Sequence, residues 1–130
     1  MPAMPPKRYK DYRFYAFVVL NFIASTLDIH IFQKELGSII DPILKNQSGV
    51  SKSSIMYEIN SNHNMTNKVL NYLKEENLVE IRTMGGEYNI IITKKGVLYL
   101  REFSRFYISL FKNELAELYR FRTTPVWAKD

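Results

Sequence analysis

The chain has 130 residues, of which 46% are hydrophobic and 18 are aromatic (Tyr 9, Phe 8, Trp 1). This length suits one domain, and the composition is too apolar for a disordered segment. The sequence has no cysteine, which excludes disulfides and thiolate metal sites, and its two histidines (His30 and His63) cannot form a histidine-rich metal site. The net charge of +5 favours a polyanionic partner without identifying one.

The N-terminal region divides into a leader and an apolar helix. Residues 1–8 are proline-rich and then basic, which predicts a loose leader. No secretory signal is recognisable, and the apolar stretch Phe14 to Ala24 is too short to span a bilayer, so we expect a cytoplasmic protein without a membrane partner. From Tyr9 to Ala24, apolar residues lie on every side of a predicted helix, which must therefore be buried. Either this helix packs in the chain's own core, or it forms a dimer interface through Tyr12, Tyr15 and Val19.

The next segment predicts two short helices. Asp28 is a candidate N-cap for a helix that ends near Gly37. A second helix is expected from Ser38 to Gln47, but Pro42 leaves two alternatives. The helix is either long and kinked at Pro42, or it begins there with Asp41 as its cap.

Residues 51–96 predict a helix-turn-helix followed by a β-hairpin. Ser51 is expected to cap a helix that continues to Ile59, and Asn60-Ser61 forms the turn. The following helix, about residues 62–76, turns its apolar side chains toward the core at helical spacing: Met65, Val69, Leu70 and Leu73. The runs 78–83 and 88–93 flank Gly85-Gly86, which is a hairpin signal. This order of elements is the winged-helix arrangement.

Polar side chains on the outward side of the second helix are candidates for contacts with double-stranded DNA. Asparagine can pair bidentately with adenine, and lysine can reach phosphates. An ordinary solvated helix face is the alternative. The candidate set is Lys52, His63, Asn64, Thr66, Asn67, Lys68, Asn71, Lys74 and, on the hairpin, Arg82.

The C-terminal third predicts one long amphipathic helix. Thr93 is its candidate cap, and the helix is expected to run from about Lys94 to Tyr119. Its apolar side chains are candidates for dimerisation, and a ligand pocket is the alternative; they are Phe103, Tyr107, Leu110, Phe111 and Leu118. The tail after Tyr119 shows no clear element.

The module resembles a known group of proteins. Four elements carry the resemblance to archaeal winged-helix proteins typified by the ArnR-like regulators, and to small archaeal chromatin-associated winged-helix proteins: Ser53-Ser54-Ile55-Met56-Tyr57, Thr66 with Leu73, Leu78-Val79, and Ile92-Thr93-Lys94-Lys95-Gly96. The resemblance covers about residues 51–106 and implies DNA binding and dimerisation through the last helix. By the same resemblance, Asn62 stands at the recognition-helix cap, His63 at an often aromatic position and Lys68 at a basic one. The apolar segment Tyr9 to Ala24 departs from the short family members and is more similar to MarR or PadR regulators, so we expect an interface built from both termini.

Together these observations predict a mainly α protein with a small β-hairpin (α+β). We expect three parts: a leader and dimerisation helix (1–33), a winged helix-turn-helix (34–96), and a C-terminal dimerisation helix and tail (97–130). The predicted function is that of a homodimeric, nucleoid-associated transcriptional regulator without a cofactor or catalytic activity, because no glycine-rich phosphate loop, paired-histidine motif or nucleophile elbow is present. Two alternatives remain open: a protein-interaction module, or a repressor with a small-molecule effector held near Tyr12, Tyr15 and the last helix.

Overall fold

A computed structural model describes residues 12–128. The predicted leader, residues 1–8, lies outside the described residues. The described chain is mainly helical with a small antiparallel sheet, which confirms the predicted fold class. Its elements are α1 (Tyr12–Thr26), α2 (Leu36–Lys45), β1 (Val50–Ser51), α3 (Lys52–Ile59), α4 (His63–Glu75), β2 (Val79–Met84), β3 (Glu87–Ile92), α5 (Lys94–Leu110), α6 (Lys112–Leu118) and a 3₁₀ turn (Val126–Ala128).

Helix α1 is the centre of the hydrophobic core. It packs against α3, α4 and α5, and nine of its fifteen residues are buried. Its largest buried side chains are Phe14, Phe17, Leu20 and Ile23, and burying each such side chain contributes about 1.5–3 kcal/mol. The one buried polar side chain of α1, Asn21, donates to the carbonyl oxygen of Phe17 over 3.1 Å. Of the two alternatives for this helix, packing within the chain's own core is therefore the one observed.

Residues 27–35 form turns, so the helix predicted from Asp28 to about Leu36 is wrong. Asp28 has a left-handed backbone (φ 57°) and ends α1 instead of capping a new helix. Just beyond it, the N–H of Ile29 returns to the carbonyl of Ala24 over 3.2 Å. An aspartate that tolerates the left-handed region can serve at either end of a helix, which is why the sequence misled here.

Helix α2 contains Pro42 in its interior, so the longer of the two alternatives is observed. The amphipathic helix buries Leu36 and Ile40, and this burial offsets the cost of the proline. The helix ends at Lys45, before Gln47. The side-chain amide of Gln47 instead accepts from the N–H of Ile92 (3.1 Å) and donates to the carbonyl oxygen of Ile92 (2.8 Å). It thus makes the two hydrogen bonds that the backbone of a neighbouring strand would make.

The sheet has three strands in the order β1-β3-β2. The predicted hairpin is confirmed: β2 and β3 pair antiparallel from Val79 opposite Ile92 to Met84 opposite Glu87. Gly85 and Gly86 both have positive φ (59° and 84°), as a two-residue type I′ turn requires. Strand β1 was not predicted, because two residues are too few to show an alternating pattern.

The predicted C-terminal helix is two helices, since α5 ends at Leu110 and α6 begins at Lys112. Phe111 lies between them with its ring buried, 5.3 Å from the ring of Phe14 and stacked on Tyr107 at 5.7 Å. The apolar pattern continues through this break, so periodicity alone predicted one helix. Beyond α6, Tyr119 and Arg122 contact α3.

Gly96 marks the closest approach of α5 to the sheet. Thr93 caps α5 as predicted, by accepting from the N–H of Gly96 over 3.0 Å. A Cβ atom at Gly96 would lie 2.3 Å from the carbonyl oxygen of Leu78 and 2.8 Å from Cγ1 of Ile92. Only a residue without a side chain fits this position.

We therefore predict that Gly96→Ala lowers the free energy of unfolding by about 3 kcal/mol, because α5 must move away from the sheet. Gly37→Ala is the matched control: it lies in α2, its added Cβ meets nothing within 4 Å, and it should raise the free energy of unfolding by about 0.5 kcal/mol. Urea denaturation at one protein concentration measures both changes. Equal effects of the two substitutions would contradict the close approach.

Candidate nucleic-acid interface

Side-chain caps fix the two helices of the helix-turn-helix. Ser51 caps α3 by accepting from the N–H of Ser54 over 3.1 Å. Asn60 adopts a left-handed backbone (φ 49°) that ends α3 and starts the turn. Asn62 then caps α4 by accepting from the N–H of Met65 over 2.8 Å. These local hydrogen bonds set the direction in which α4 leaves the turn.

Helix α4 has a buried flank and an exposed flank. The buried flank consists of Thr66, Val69, Leu70 and Leu73. The exposed flank carries side chains that donate or accept hydrogen bonds, and it ends in an acid at Glu75. Its exposed candidates for DNA contact are His63, Asn64, Asn67, Lys68, Asn71 and Lys74. We call these six residues the α4 outer flank.

The placement of Thr66 on the outward side is wrong. Thr66 is fully buried, and its hydroxyl donates to the carbonyl oxygen of Asn62 over 2.8 Å. The position lies on the same side of α4 as Leu70 and Leu73, so its polarity, not its spacing, led to the prediction. A buried hydroxyl that is already bonded to the first turn of its helix stabilises that turn and cannot reach a base.

Lys68, one of the basic residues of the α4 outer flank, lies beside an aromatic ring. The Nζ atom of Lys68 lies 5.9 Å from the ring centroid of Tyr12, at the start of α1. The Tyr12 ring in turn packs edge-on against Tyr72, with 5.0 Å between the ring centroids. Lys68 is therefore held on one side of α4 while its ammonium group remains exposed.

Two further candidates lie on other elements. Arg82 is exposed on β2, opposite Asn89 of β3, and its Nη2 lies 3.3 Å from Oε2 of Glu80. An exposed pair of this kind contributes at most about 1 kcal/mol, so a phosphate can replace the carboxylate at little cost. Lys52 begins α3 and is half-buried. The structure thus gathers six candidates on α4 and leaves Arg82 and Lys52 on separate elements.

The tail docks on α3, a contact that sequence reasoning missed. The guanidinium of Arg122 donates to the carbonyl oxygens of Tyr57 (3.1 Å), Glu58 (3.0 Å) and Leu118 (3.3 Å). The hydroxyl of Tyr119 donates to Oε2 of Glu58 over 2.5 Å. Burial and this hydrogen bond raise the pKa of Tyr119. Tyr119 and Arg122 therefore contact the last turn of α3, just before the turn that leads into α4.

The residues predicted to dimerise fall into three groups. Val19, Phe111 and Leu118 are buried in the chain's own core, so their assignment to an intersubunit surface is wrong. Tyr15 and Tyr107 are half-buried, and Tyr107 also bonds to the hydroxyl of Tyr99 over 2.8 Å. Side chains that remain accessible are Tyr12, Phe103 and Leu110. The pattern missed Leu98 and Phe106, which are also exposed.

These features define a helix-turn-helix with a two-stranded wing. The profile described as winged helix-turn-helix matches residues 36–109, more than half of the chain, and the chain belongs to that family. Neither a curated protein nor a solved structure gave a match. The family typically consists of DNA-binding proteins without catalytic activity.

Within residues 12–128, neither a membrane span nor a metal-binding cluster is found. None of the described helices is both long enough and apolar enough to cross a membrane. Within the same residues, no group of three or more histidine or acidic side chains is placed to hold a metal ion.

We predict that Arg122→Met lowers the free energy of unfolding by about 1–2 kcal/mol, because the carbonyls at the end of α3 lose a charged donor. Methionine keeps an apolar stem, so the change reports mainly on the guanidinium. The control is Arg120→Met, at an exposed arginine whose guanidinium lies 4.0 Å from the carboxylate of Glu117, and it should be nearly neutral. Thermal denaturation measures both variants. A loss no larger than that of the control would contradict the docking of the tail.

Proposed function

We propose that the protein is a homodimeric transcriptional regulator that binds double-stranded DNA through the α4 outer flank. The observation that carries the proposal is that six hydrogen-bonding side chains remain exposed along the second helix of the helix-turn-helix. In this arrangement Asn64, Asn67 and Asn71 face base edges, while Lys68 and Lys74 face phosphates. Arg82 on the wing contacts the flanking backbone.

The arrangement of charge supports this orientation. Lys68 and Lys74 are exposed on α4, and the thirteen residues of this helix, His63–Glu75, contain one acid, at the C-terminal end. The first turns can thus enter a groove without bringing a carboxylate toward the phosphates. The net charge of +5 adds a long-range attraction that is independent of sequence.

Dimerisation is proposed to use a stripe of aromatic and apolar side chains on α5, of which Tyr99 is half-buried and the other three are exposed. Tyr99, Phe103, Phe106 and Leu110 recur at intervals of four, three and four residues, as in the seam of a two-stranded coiled coil. Phe106 is 61% exposed and Leu110 is 55% exposed. In water, a second copy of the same helix would cover this stripe. The two copies of α4 would then need a separation of about 34 Å to reach successive major grooves.

The second candidate function is a protein-interaction module, and the same stripe favours it, because a different protein could cover it. In that case the α4 outer flank would be a solvated surface. The division into a reading module (34–96) flanked by two dimerisation parts (1–33 and 97–130) belongs to the first candidate. The resemblance to archaeal regulators of the ArnR, MarR or PadR type, and association with the nucleoid, also remain predictions.

We expect the protein to bind a mixed-sequence duplex of about 25 base pairs, with an affinity that falls steeply as salt rises. Lys68→Ala should weaken binding and reduce the slope of log Kd against log salt by about 1, since one phosphate contact is lost. Fluorescence anisotropy at several salt concentrations measures both quantities. Lys34→Ala, which removes an exposed charge from the turn segment 27–35, is the charge-matched control. A flat salt response of the unmodified protein would rule out the DNA-binding function.

We expect base readout to depend on Asn67. On a duplex enriched from a random pool, Asn67→Ala should cost about 1–3 kcal/mol and relax the preference at one or two positions. Loss of affinity that is equal on enriched and mixed-sequence duplexes would assign Asn67 to the backbone instead. Unfolding of the variant in urea serves as the control, because Asn67 is exposed and its removal should leave stability unchanged.

We expect Phe106→Glu to convert a dimer into a monomer, because a charge at the centre of the stripe would be buried in the interface. Sedimentation equilibrium should give twice the 15.3 kDa chain mass for the unmodified protein and a single chain mass for the variant. Ser109→Glu, an exposed position on another side of α5, introduces the same charge and should leave the dimer intact. If the unmodified protein is itself monomeric, the stripe is not a homodimer interface, and a different protein would have to cover it.

A further inference from the structure

Helix α1 begins beside the α4 outer flank. The ring of Tyr12, the first residue of α1, packs edge-on against Tyr72, with 5.0 Å between the ring centroids, and its centroid lies 5.9 Å from Nζ of Lys68. Lys68 and Tyr72 are four positions apart on α4, so they share one edge of that helix. The start of α1 is therefore fixed at the Lys68 edge of the surface that is proposed to bind DNA.

Cationic side chains are concentrated just before this point in the sequence. Lys7, Arg8 and Lys10 lie two to five positions before Tyr12, and Asp11 is the one acid among residues 1–11. These eleven residues thus contribute +2 to the net charge of +5. We call residues 7–10 the basic segment; it lies outside the described residues.

Covalent geometry limits how far the basic segment can be from α4. An extended chain spans at most about 3.6 Å per residue, so the Cα atom of Lys10 lies within about 7 Å, and that of Lys7 within about 18 Å, of the Cα atom of Tyr12. A helix with its side chains fills the major groove, so each edge of the helix faces a row of phosphates. The basic segment is thereby kept within reach of the row along the Lys68 edge.

We infer that Lys7, Arg8 and Lys10 contact the DNA phosphates along the Lys68 edge of α4. The inference rests on the proposed function, because it requires α4 to lie in the major groove. Contacts to phosphates carry no sequence information, so the basic segment should strengthen binding to every duplex equally. Its role thus differs from that of the asparagines of α4, which are proposed to face base edges.

Carboxylates at the end of α4 are the alternative partners of the basic segment. Glu75 and Glu76 are exposed. Burial raises the pKa of Tyr72, and the charge of Glu76 raises it further, which places Glu76 near the same edge of α4. Exposed ion pairs are weak, so these carboxylates compete poorly with a row of phosphates. If they were the partners, removal of the cations would lower the stability of the protein and leave its DNA binding unchanged.

The combined change Lys7→Gln, Arg8→Gln and Lys10→Gln tests the inference on the mixed-sequence duplex. Each phosphate contact contributes about 0.9 to the slope of log Kd against log salt, so the slope should fall by about 2. The Kd should therefore rise roughly a hundredfold at about 0.1 M salt, and the curves of the variant and the unmodified protein should converge near about 1 M. Fluorescence anisotropy measures both curves, and urea denaturation should show unchanged stability.

A charge-matched control removes three cations from other elements. Lys34, Arg105 and Arg120 are exposed on the turn segment 27–35, on α5 and on the tail, respectively. Their combined change to glutamine lowers the net charge equally, but it should reduce the slope much less, because only long-range attraction is lost. An equal fall for the two triple variants would assign the effect to net charge and overturn the contact.

An iron chelate can locate the basic segment on the DNA. The sequence has no cysteine, so Tyr9→Cys supplies a single thiol for attachment. On a duplex enriched from a random pool, the chelate should cleave the backbone at discrete positions in or beside the protected site. Lys34→Cys, which places the chelate on the turn segment, should not cleave there. The same cleavage pattern from both positions would overturn the inference.

Failure of this inference is distinguishable from failure of the proposed function. If the unmodified protein binds DNA with a steep salt dependence, and the basic-segment variant has the same slope, the inference alone is overturned. If the unmodified protein does not bind DNA, the proposed function is overturned and the inference with it.

Discussion

The burial of α1 is the constraint on which the rest of the structure depends. A helix that is apolar on every side has no stable position at the surface, so α3, α4 and α5 must surround it. Each of these helices then has one flank committed to α1 and another left outside. For α4 the outer side carries amides and ammonium groups. For α5 it carries the aromatic stripe on one side and, on the other, a cavity that Trp127 also lines. The candidate surfaces are therefore the sides of α4 and α5 that remain exposed when these helices pack around α1.

Much of this arrangement could be predicted from the sequence because local hydrogen bonds encode it. Ser51, Asn62 and Thr93 cap three helices as expected, and Gly85-Gly86 forms the hairpin turn. Each of these signals involves residues at most three positions apart, so no knowledge of the remaining chain is needed. The α4 outer flank was predicted for the same reason, since helical spacing separates it from Val69, Leu70 and Leu73.

The errors occur where distant parts of the chain decide the outcome. Thr66 is the exception, because its helical spacing already places it with Leu70 and Leu73 on the buried side, and only its polarity misled. Phe111 interrupts the last helix at a ring contact with Phe14, nearly a hundred positions earlier. Arg122 reaches the end of α3 across sixty-five positions in sequence. Val19 shows the same effect in the core: its apolar character was evident, but which surface would cover it was not.

The docked tail connects the cavity to the helix-turn-helix. The Trp127 ring, which lines the cavity, packs edge-on against Tyr119 with 6.0 Å between centroids, and Tyr119 bonds to Glu58 near the end of α3. Arg122 holds the neighbouring carbonyls of the same helix. Any group bound against Trp127 would touch the segment that contacts the C-terminal end of α3. Adjacency alone is not coupling: a ligand changes DNA affinity only if it binds two arrangements of this tail unequally.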